Sequence, residues 1–246
     1  MSRPSPLAPL RRRPERAGVL LDLDGTLADI VVRPELARPA PGAREAVAAL
    51  VPRYRLVAVV TGRPAAEAAG ILGVEGVRYV GLYGMEGAPP PPAPLAEALR
   101  RVAAGVPGAW VEEKGASLAV HYRQAPDPAA ARASLVRSLG AAARRAGWEI
   151  VEGKMVLEVM PPDRPRKGAA VERLVREAGL AAALYAGDDV ADLDAFAALD
   201  RLAGRGVEVV RVAVAGPETP EELLRRADLV VEGPAGLVAL LRDLAR

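Results

Sequence analysis

Short, almost wholly apolar runs alternate along this chain with longer stretches in which apolar residues recur every three or four positions. The runs at 18–23, 56–60 and 77–82 are typical of strands buried on both faces of a parallel sheet. The stretches at 41–51 and 64–72 have helical periodicity, and each begins at a proline, a residue favoured in the first turn of a helix. This β-α-β-α-β order predicts crossover connections and a parallel sheet.

The same alternation returns in the C-terminal part of the chain. It predicts strands at 182–186, 207–214 and 229–231, and helices at 167–178, 191–199, 220–226 and 234–244. We therefore expect the two parts to complete one Rossmann-like α/β core with a parallel sheet.

Two proline-rich segments, 88–94 and 161–165, separate these parts and mark candidate hinges. The pattern between them predicts helices at 95–106 and 128–146, and strands at 109–114, 117–123, 148–152 and 154–160. Gly115 and Gly153 separate two strand pairs, which indicates β-hairpins and hence a small open-faced α+β unit.

These patterns divide the chain into a core, an inserted cap and an N-terminal arm. The core is predicted at 17–88 and 163–246. The cap, which we expect to set substrate specificity, is predicted at 89–162. Residues 1–16 are rich in proline and arginine and are predicted to form a flexible arm.

Composition narrows the functional classes. The 33 basic and 31 acidic residues nearly cancel, so no global charge favours binding to nucleic acid or to an anionic membrane. No apolar run reaches the length of a membrane span. The absence of cysteine excludes disulfides and thiolate metal sites, and it agrees with a reducing cytoplasm. We expect a cytoplasmic protein, and the sequence does not identify a protein partner.

Lysine is scarce, because only Lys114, Lys154 and Lys167 among the 33 basic residues are lysine. A lysine ammonium is a compact point charge, and a planar guanidinium fork does not replace it where geometry is tight. We therefore expect these three positions to be functional, with random scatter as the alternative.

Two carboxylates follow the first predicted strand, in the segment Asp22-Leu23-Asp24-Gly25-Thr26. Strand alternation places Asp22 and Asp24 on the same side. The carboxyl end of a parallel sheet is where such folds bind ligands. Paired carboxylates repel, which favours a divalent cation or a raised pKa on one of them. The alternative is a simple turn, since Asp-Gly is also a common hairpin signal.

Two further segments suit a phosphate group. Thr61-Gly62-Arg63 ends the second predicted strand, where a hydroxyl, a close backbone amide and a helix N-terminus form an anion pocket. Lys167 begins a helix, where its charge opposes the helix dipole unless an anion offsets it. The alternatives are an ordinary helix start at Pro64 and a solvated lysine.

The segment Gly187-Asp188-Asp189 ends another predicted strand, with Asp192 shortly after it. Carboxylate oxygens are the ligands that Mg²⁺ prefers, and it takes only one or two of them beside a substrate phosphate. Helix capping is the alternative, and it accounts for one of the adjacent acids more easily than for both.

Together, these four segments resemble the motifs of the haloacid dehalogenase superfamily of phosphohydrolases, namely DLDGT, TGR, the lysine of RKG and GDDVAD. The resemblance implies that Asp22 attacks phosphorus and that Asp24 is the general acid and base. It further implies that Thr61, Gly62 and Lys167 bind the phosphoryl group. Mg²⁺ would be bound by Asp22, the Asp24 carbonyl and Asp188, with Asp189 and Asp192 in or just outside its shell.

One face of the predicted cap sheet is polar. Alternation places five charged or titratable side chains on it: Glu112, Lys114, His121, Lys154 and Glu158. Such donors and acceptors suit a polyhydroxylated ligand, and the expected substrate is a small sugar phosphate. A solvated face with surface ion pairs is the alternative.

The cap segments EEKG at 112–115, SLAVHYR at 117–123 and GKMVLEV at 153–159 resemble trehalose-6-phosphate phosphatases. This resemblance implies that Glu112, Lys114 and Glu158 contact the sugar away from the phosphate. The chain departs from the family at Tyr83, where histidine is usual. It also departs at Ala191 and Leu193, where threonine and glutamate are common.

Trehalose-6-phosphate is therefore the expected substrate, hydrolysed to trehalose and phosphate. Other sugar phosphates stay open as alternatives: sucrose phosphate, mannosyl-3-phosphoglycerate and hexose phosphates. So do a phosphomutase, which shares the same intermediate, and a sugar-phosphate-binding protein without catalysis.

Overall fold

A computed structural model describes residues 5–246 of the chain. The chain forms two compact units. The first comprises the residues up to Gly84 together with Arg166–Arg246, and the second is Met85–Pro165.

A six-stranded, all-parallel sheet forms the centre of the first unit. Its strands are β1 (Ala17–Leu21), β2 (Leu56–Val60), β3 (Arg78–Val80), β8 (Ala182–Gly187), β9 (Glu208–Ala215) and β10 (Leu229–Glu232). The order across the sheet is β10-β9-β8-β1-β2-β3, so the chain moves outward in one direction and later in the other. In doubly wound sheets of this kind, ligands bind where the direction reverses, at the carboxyl ends of the strands.

Helices cover both faces of this sheet. They are α2 (Ala43–Leu50), α3 (Ala65–Leu72), α6 (Lys167–Glu177), α7 (Val190–Ala203), α8 (Glu221–Arg226) and α9 (Gly233–Leu244). Val19 and Leu21 of β1 lie in one apolar cluster, and Leu20 lies in the other. Because both faces are buried, β1 reads as a continuous apolar run without alternation.

The prediction of a flexible arm is wrong for the part of the N-terminal segment that the structure describes. Helix α1 (Ala8–Arg12) precedes β1, and both Leu7 and Leu10 belong to the core cluster of the first unit. The two leucines are three positions apart and therefore share one helix face. Burial of these two side chains fixes a segment whose composition suggested disorder. Residues 1–4 lie outside the described part of the chain.

The second unit contains an antiparallel four-stranded sheet in the order β4-β5-β7-β6. The strands are β4 (Trp110–Glu113), β5 (Leu118–His121), β6 (Glu149–Gly153) and β7 (Val156–Met160). Helices α4 (Ala93–Ala104) and α5 (Pro128–Arg145) contribute to one apolar cluster with this sheet. The predicted fold class, a parallel α/β core with an inserted α+β unit, is confirmed.

Several predicted strands are shorter than the pattern suggested, and two of them give way to turns. The run at 77–82 forms a strand only over β3, and Leu82–Gly84 is a 3-10 turn. Short 3-10 turns also occur at Pro14–Arg16 and Pro34–Leu36.

The run at 154–160 becomes a strand only at Val156, because Gly153 pairs with Val156 and the hairpin turn consists of Lys154 and Met155. Met155 has a φ of 59°, the left-handed conformation that tight turns require. Gly153, which was predicted to be the turn, lies at the end of β6.

Within residues 5–246, none of the helices combines the length and the apolar character that crossing a bilayer requires.

Candidate active site

Three neighbouring strands of the first unit deliver the predicted catalytic residues to one edge of the sheet. Asp22 follows β1, Thr61 follows β2 and Asp188 follows β8, and these strands are adjacent in the order β8-β1-β2. The Asp22 N–H donates to the Ala186 carbonyl at 2.9 Å, which continues the ladder beyond β1. The parallel ladder therefore brings together residues that are far apart in sequence.

Asp22 is buried beside Lys167, with 3.1 Å between Lys167 Nζ and Asp22 Oδ1. Burial raises the pKa of Asp22, and Asp192 and Asp188 raise it further, although Lys167 opposes them. Burial alone would lower the pKa of Lys167, but Asp192 and Asp22 raise it well above its usual range. Lys167 is therefore a permanent cation beside a carboxylate that needs a positive neighbour to stay charged.

Asp192 connects this pair to the rest of the site. Its Oδ1 accepts hydrogen bonds from Lys167 Nζ and from the Tyr185 hydroxyl, each at 2.7 Å. Its Oδ2 accepts from the backbone N–H groups of Asp188 and Asp189, each at 2.8 Å. Asp192 thus orients the lysine with one oxygen and the acidic loop with the other.

Asp22, Asp188 and Asp192 form a buried carboxylate cluster in which one oxygen from each lies within 4.8 Å of the others. Thr26 donates from Oγ1 to Asp188 Oδ1 at 2.9 Å. The cluster fits a magnesium ion, because it offers hard oxygen ligands whose repulsion a divalent cation would relieve. Each Asp192 oxygen already accepts two hydrogen bonds, from Lys167 and Tyr185 or from the two backbone N–H groups. Asp22 and Asp188 are therefore better placed than Asp192 to bind the metal ion.

Glycine is required at a close approach beside this cluster. Gly25 has a φ of 78°, and a Cβ built on it would lie 2.0 Å from Asp188 Oδ2. The Asp-Gly pair that also suggested a hairpin therefore serves to bring the loop after β1 against the loop after β8.

The sequence assigned Asp189 to the metal, and the geometry does not support that assignment. Its side chain accepts from the Val190 N–H at 2.6 Å and forms a capping box with Asp192 at the start of α7. Asp189 is not a member of the carboxylate cluster. Helix capping, the alternative weighed from the sequence, accounts for it.

Asp24 is held by Arg63. The guanidinium donates from Nε to Asp24 Oδ2 at 2.7 Å and from Nη2 to Oδ1 at 2.8 Å, a bidentate pair. Arg63 Nη1 also donates to the Pro34 carbonyl at 3.0 Å and to Glu67. Sequence reasoning gave Arg63 no role, although its place directly after Thr61-Gly62 brings it to the same edge of the sheet.

Thr61 lies buried at the end of β2, and its hydroxyl accepts from the Arg63 N–H at 3.2 Å. This contact closes the loop around Gly62, so that Thr61 and Gly62, both predicted to bind phosphate, lie in one tight turn.

Sequence reasoning assigned no role to Tyr185 or to Thr26. The signal was weak, because Tyr185 belongs to an apolar run and reads as a core residue.

The second unit carries two pairs of interacting polar side chains on one face of its sheet. Glu112 Oε2 lies 2.7 Å from His121 Nε2, and Trp110 stacks on the His121 ring with 4.2 Å between centroids. Lys114 Nζ donates to Glu158 Oε1 at 2.8 Å and lies 3.9 Å from Glu112 Oε2. The structure therefore brings together Glu112, Lys114, His121 and Glu158, as alternation predicted.

Lys154 is placed differently from the prediction. It lies in the turn before β7 and is not on the strand that carries Glu158. Its backbone carbonyl accepts from Arg123 Nη2 at 3.0 Å. The shortened strand explains this change, since alternation ceases to apply where the ladder ends.

The family model for trehalose-phosphatase matches residues 20–95 and 90–228 of the chain. The chain belongs to the trehalose-phosphatase family. This confirms the family resemblance inferred from the motifs, and with it membership of a family of phosphoric monoester hydrolases.

Two relatives with curated descriptions agree with this family, and a third is described differently. The chain is 36% identical over 217 residues to a trehalose-phosphate phosphatase of Mycolicibacterium paratuberculosis, covering 80% of this chain and 54% of that protein. It is 30% identical to a probable trehalose-phosphate phosphatase of Sinorhizobium fredii, covering 91% and 86%. An uncharacterised glycosyl hydrolase of Mycobacterium tuberculosis is 36% identical, and the chain spans only 16% of its length.

Solved structures share the fold. The C-terminal domain of a C. albicans trehalose-6-phosphate phosphatase superimposes with a TM-score of 0.82 at 23% identity, covering 100% of this chain and 97% of that one. A haloacid dehalogenase-like hydrolase from Bacteroides thetaiotaomicron gives a TM-score of 0.65 at 15% identity, covering 93% and 99%. Like those trehalose-phosphatase and dehalogenase-like folds, the chain has a core with a cap.

Proposed function

We propose that this member of the trehalose-phosphatase family hydrolyses trehalose-6-phosphate to trehalose and phosphate with the help of Mg²⁺. The observation that carries the proposal is the buried group of Asp22, Lys167 and the carboxylate cluster at the sheet edge. It combines a nucleophile, a fixed cation and hard oxygen ligands, which are the parts that phosphoryl transfer needs.

In the proposed first step, an Asp22 carboxylate oxygen forms a bond to phosphorus while the bond from phosphorus to the sugar oxygen breaks. The products are an aspartyl phosphate on Asp22 and the free sugar, whose new hydroxyl group takes its proton from Asp24. Asp24 then removes a proton from water, and the hydroxide attacks phosphorus. The Asp22–phosphorus bond breaks, and inorganic phosphate leaves.

The remaining residues hold charge in place. Lys167, Thr61 and Gly62 contact the phosphoryl oxygens, on which negative charge accumulates as the ester bond breaks. Asp22, Asp188 and the Asp24 carbonyl would hold Mg²⁺, which would supply further charge neutralisation of the phosphoryl group. Asp24 must leave its contact with Arg63 and take up a proton from solvent before it can protonate the leaving oxygen.

We assign the sugar to residues 89–162, acting as the specificity cap. Glu112, Lys114, His121 and Glu158 offer donors and acceptors for the hydroxyl groups away from the phosphate, with Lys154 at the adjoining turn. The pairs they form with one another support this role, since sugar hydroxyls both donate and accept and can replace either partner.

The test is phosphate release from a panel of esters with and without Mg²⁺. The panel contains trehalose-6-phosphate, sucrose phosphate, mannosyl-3-phosphoglycerate and a hexose phosphate. We expect trehalose-6-phosphate to exceed the others in kcat/KM by tenfold or more, about 1.4 kcal/mol of discrimination. Equal values across the panel would refute the sugar assignment. Conversion of the sugar phosphate without accumulation of free phosphate would indicate a mutase.

Asp22→Asn tests the nucleophile. The amide is nearly isosteric but a poor nucleophile, so we expect kcat to fall at least roughly 10³-fold. Trapping of phosphate on the chain by rapid acid quench, seen in the parent and absent in the variant, measures the intermediate directly. Equal rates for parent and variant would remove Asp22 from this role.

A further inference from the structure

A tyrosine outside the four motifs lies against the proposed phosphate-binding residues. The turn Leu82–Gly84 follows β3 in the first unit, and Tyr83 at its centre stands where the family resemblance predicts histidine. The turn is attached to the loop after β2 by two backbone hydrogen bonds. Leu82 N–H donates to the Arg63 carbonyl at 3.0 Å, and Tyr83 N–H donates to the Thr61 carbonyl at 3.1 Å.

The backbone of this turn is strained. Leu82 and Tyr83 have φ values of 48° and 54°, the left-handed region that residues with a Cβ rarely adopt. Strain of this kind persists only where the surroundings enforce it, and it clusters at functional sites. Here the two hydrogen bonds to Thr61 and Arg63 provide the enforcement.

The Tyr83 side chain places its hydroxyl against Gly62 and its ring beside Lys167. A Cβ built on Gly62 would lie 2.7 Å from the Tyr83 hydroxyl oxygen and 3.0 Å from Cζ. Lys167 Nζ lies 5.5 Å from the centroid of the Tyr83 ring, within cation–π range. The phenol therefore lies beside two of the residues to which the phosphoryl group was assigned, and glycine at position 62 is what leaves room for it.

We propose that the Tyr83 hydroxyl donates a hydrogen bond to a non-bridging phosphoryl oxygen of the bound sugar phosphate, a role that rests on the proposed function. A phenol is a neutral donor, and a hydrogen bond to an anionic oxygen is stronger than one between neutral groups. The aromatic ring also covers the Lys167 ammonium and limits its hydration.

The test measures binding of inorganic phosphate in the presence of Mg²⁺ by calorimetry, together with kcat/KM for trehalose-6-phosphate. Tyr83→Phe removes only the hydroxyl and keeps the ring. We expect phosphate binding and kcat/KM each to fall roughly ten- to hundredfold.

Tyr79→Phe is the matched control. It deletes the same atom on β3, where the Tyr79 hydroxyl donates to the Val74 carbonyl at 3.1 Å. We expect it to leave phosphate binding and turnover within about twofold of the parent. Thermal denaturation of all variants measures any loss of folding separately.

Unchanged phosphate affinity in Tyr83→Phe would overturn the inference. If the parent binds phosphate but turns over no ester, the proposed function fails while the comparison of phosphate affinities still judges Tyr83. A parent that binds no phosphate at all would refute both.

Discussion

The two units each carry a charged network, and the networks are built differently. In the first unit, Asp192 accepts hydrogen bonds from backbone N–H groups as well as from Lys167 and Tyr185. In the second unit, the pairs join side chain to side chain, Glu112 to His121 and Lys114 to Glu158.

The difference teaches what each network can do. Groups tied to the backbone keep their geometry throughout a reaction, which electrostatic stabilisation of a transition state requires. Pairs between side chains exchange partners at little cost, which suits recognition of a ligand that itself donates and accepts. Substitutions in the first network should therefore slow the hydrolysis of every phosphate ester. Substitutions in the second network should slow only the hydrolysis of esters that carry the sugar.

Among the substitutions that test this comparison, the largest effect is expected for Lys167→Met. Removal of the cation leaves Asp22 and Asp192 buried without compensation, so we expect a loss of about 3–5 kcal/mol in the free energy of unfolding without Mg²⁺. We also expect kcat to fall roughly 10²–10³-fold for every ester. Urea denaturation and phosphate release measure the two effects.

Lys167→Arg is the matched variant for this prediction. A guanidinium fork is larger than the ammonium it would replace, so the variant should recover charge without recovering activity. Activity near that of the parent would show that charge alone suffices at this position.

Arg63→Met separates the general acid and base from the nucleophile. It removes the bidentate contact to Asp24, and we expect kcat to fall about ten- to hundredfold for both trehalose-6-phosphate and p-nitrophenyl phosphate. Arg63→Lys keeps the charge but cannot make the bidentate contact. Its kcat should lie between that of the parent and that of Arg63→Met. A faster Arg63→Met enzyme would mean that the guanidinium restrains Asp24 and does not position it.

Lys114→Met tests the network of the second unit. We expect KM for trehalose-6-phosphate to rise about tenfold, while the rate with p-nitrophenyl phosphate, which lacks the sugar, stays within about twofold of the parent. Glu113→Gln is the matched control, because Glu113 neighbours Lys114 in sequence, pairs with Arg100 and lies on the opposite face of the sheet. An equal loss of activity with both esters in Lys114→Met would show that the second network does not act on the sugar alone.

The smallest effect is expected outside both networks, at Asp200. Partial burial would raise the pKa of this carboxyl, but hydrogen bonds from Arg226 and Arg211 lower it below its ordinary value of 3.8. Its stabilising contribution is therefore complete above that ordinary value and is lost as the pH falls through the lower, folded-state pKa.

Asp200→Asn should reduce the free energy of unfolding at pH 7 by less than about 1 kcal/mol, because the carboxylate is about half exposed and screened by solvent. Urea denaturation at pH 7 and near pH 3 measures the difference, which should shrink at the lower pH. A difference that grows on acidification would contradict the assigned direction of the pKa shift.

Much of the fold was predictable because hydrophobic pattern and fold agree. The continuous apolar run before Asp22 predicted a strand buried on both faces, and β1 is such a strand. The pattern failed where apolar residues continue past the end of a ladder. Leu82 extends the apolar run beyond β3 but lies in a turn, since local hydrophobicity carries no information about where a partner strand ends.

The positions of the catalytic candidates at the strand ends were likewise predictable. Their individual side-chain contacts were less so. The ends of β1, β2 and β8 were expected to converge, because parallel strands present their carboxyl ends at one edge. The sequence could not decide which of Asp189 and Asp192 joins the carboxylate cluster, because both are acids close to a helix start. Asp192 joins the cluster, whereas the Asp189 side chain caps α7, which begins at Val190.

The sequence by itself determined the strand and helix order, the two-part architecture and the motif residues, because periodicity and residue chemistry are local properties. Tertiary structure alone decided that Arg63 binds Asp24, that Tyr185 supports Asp192 and that Tyr83 lies over Gly62. Those contacts join residues whose separation in sequence bears no relation to their distance in space. They depend on which strands are neighbours and on how each loop closes, which no local pattern specifies.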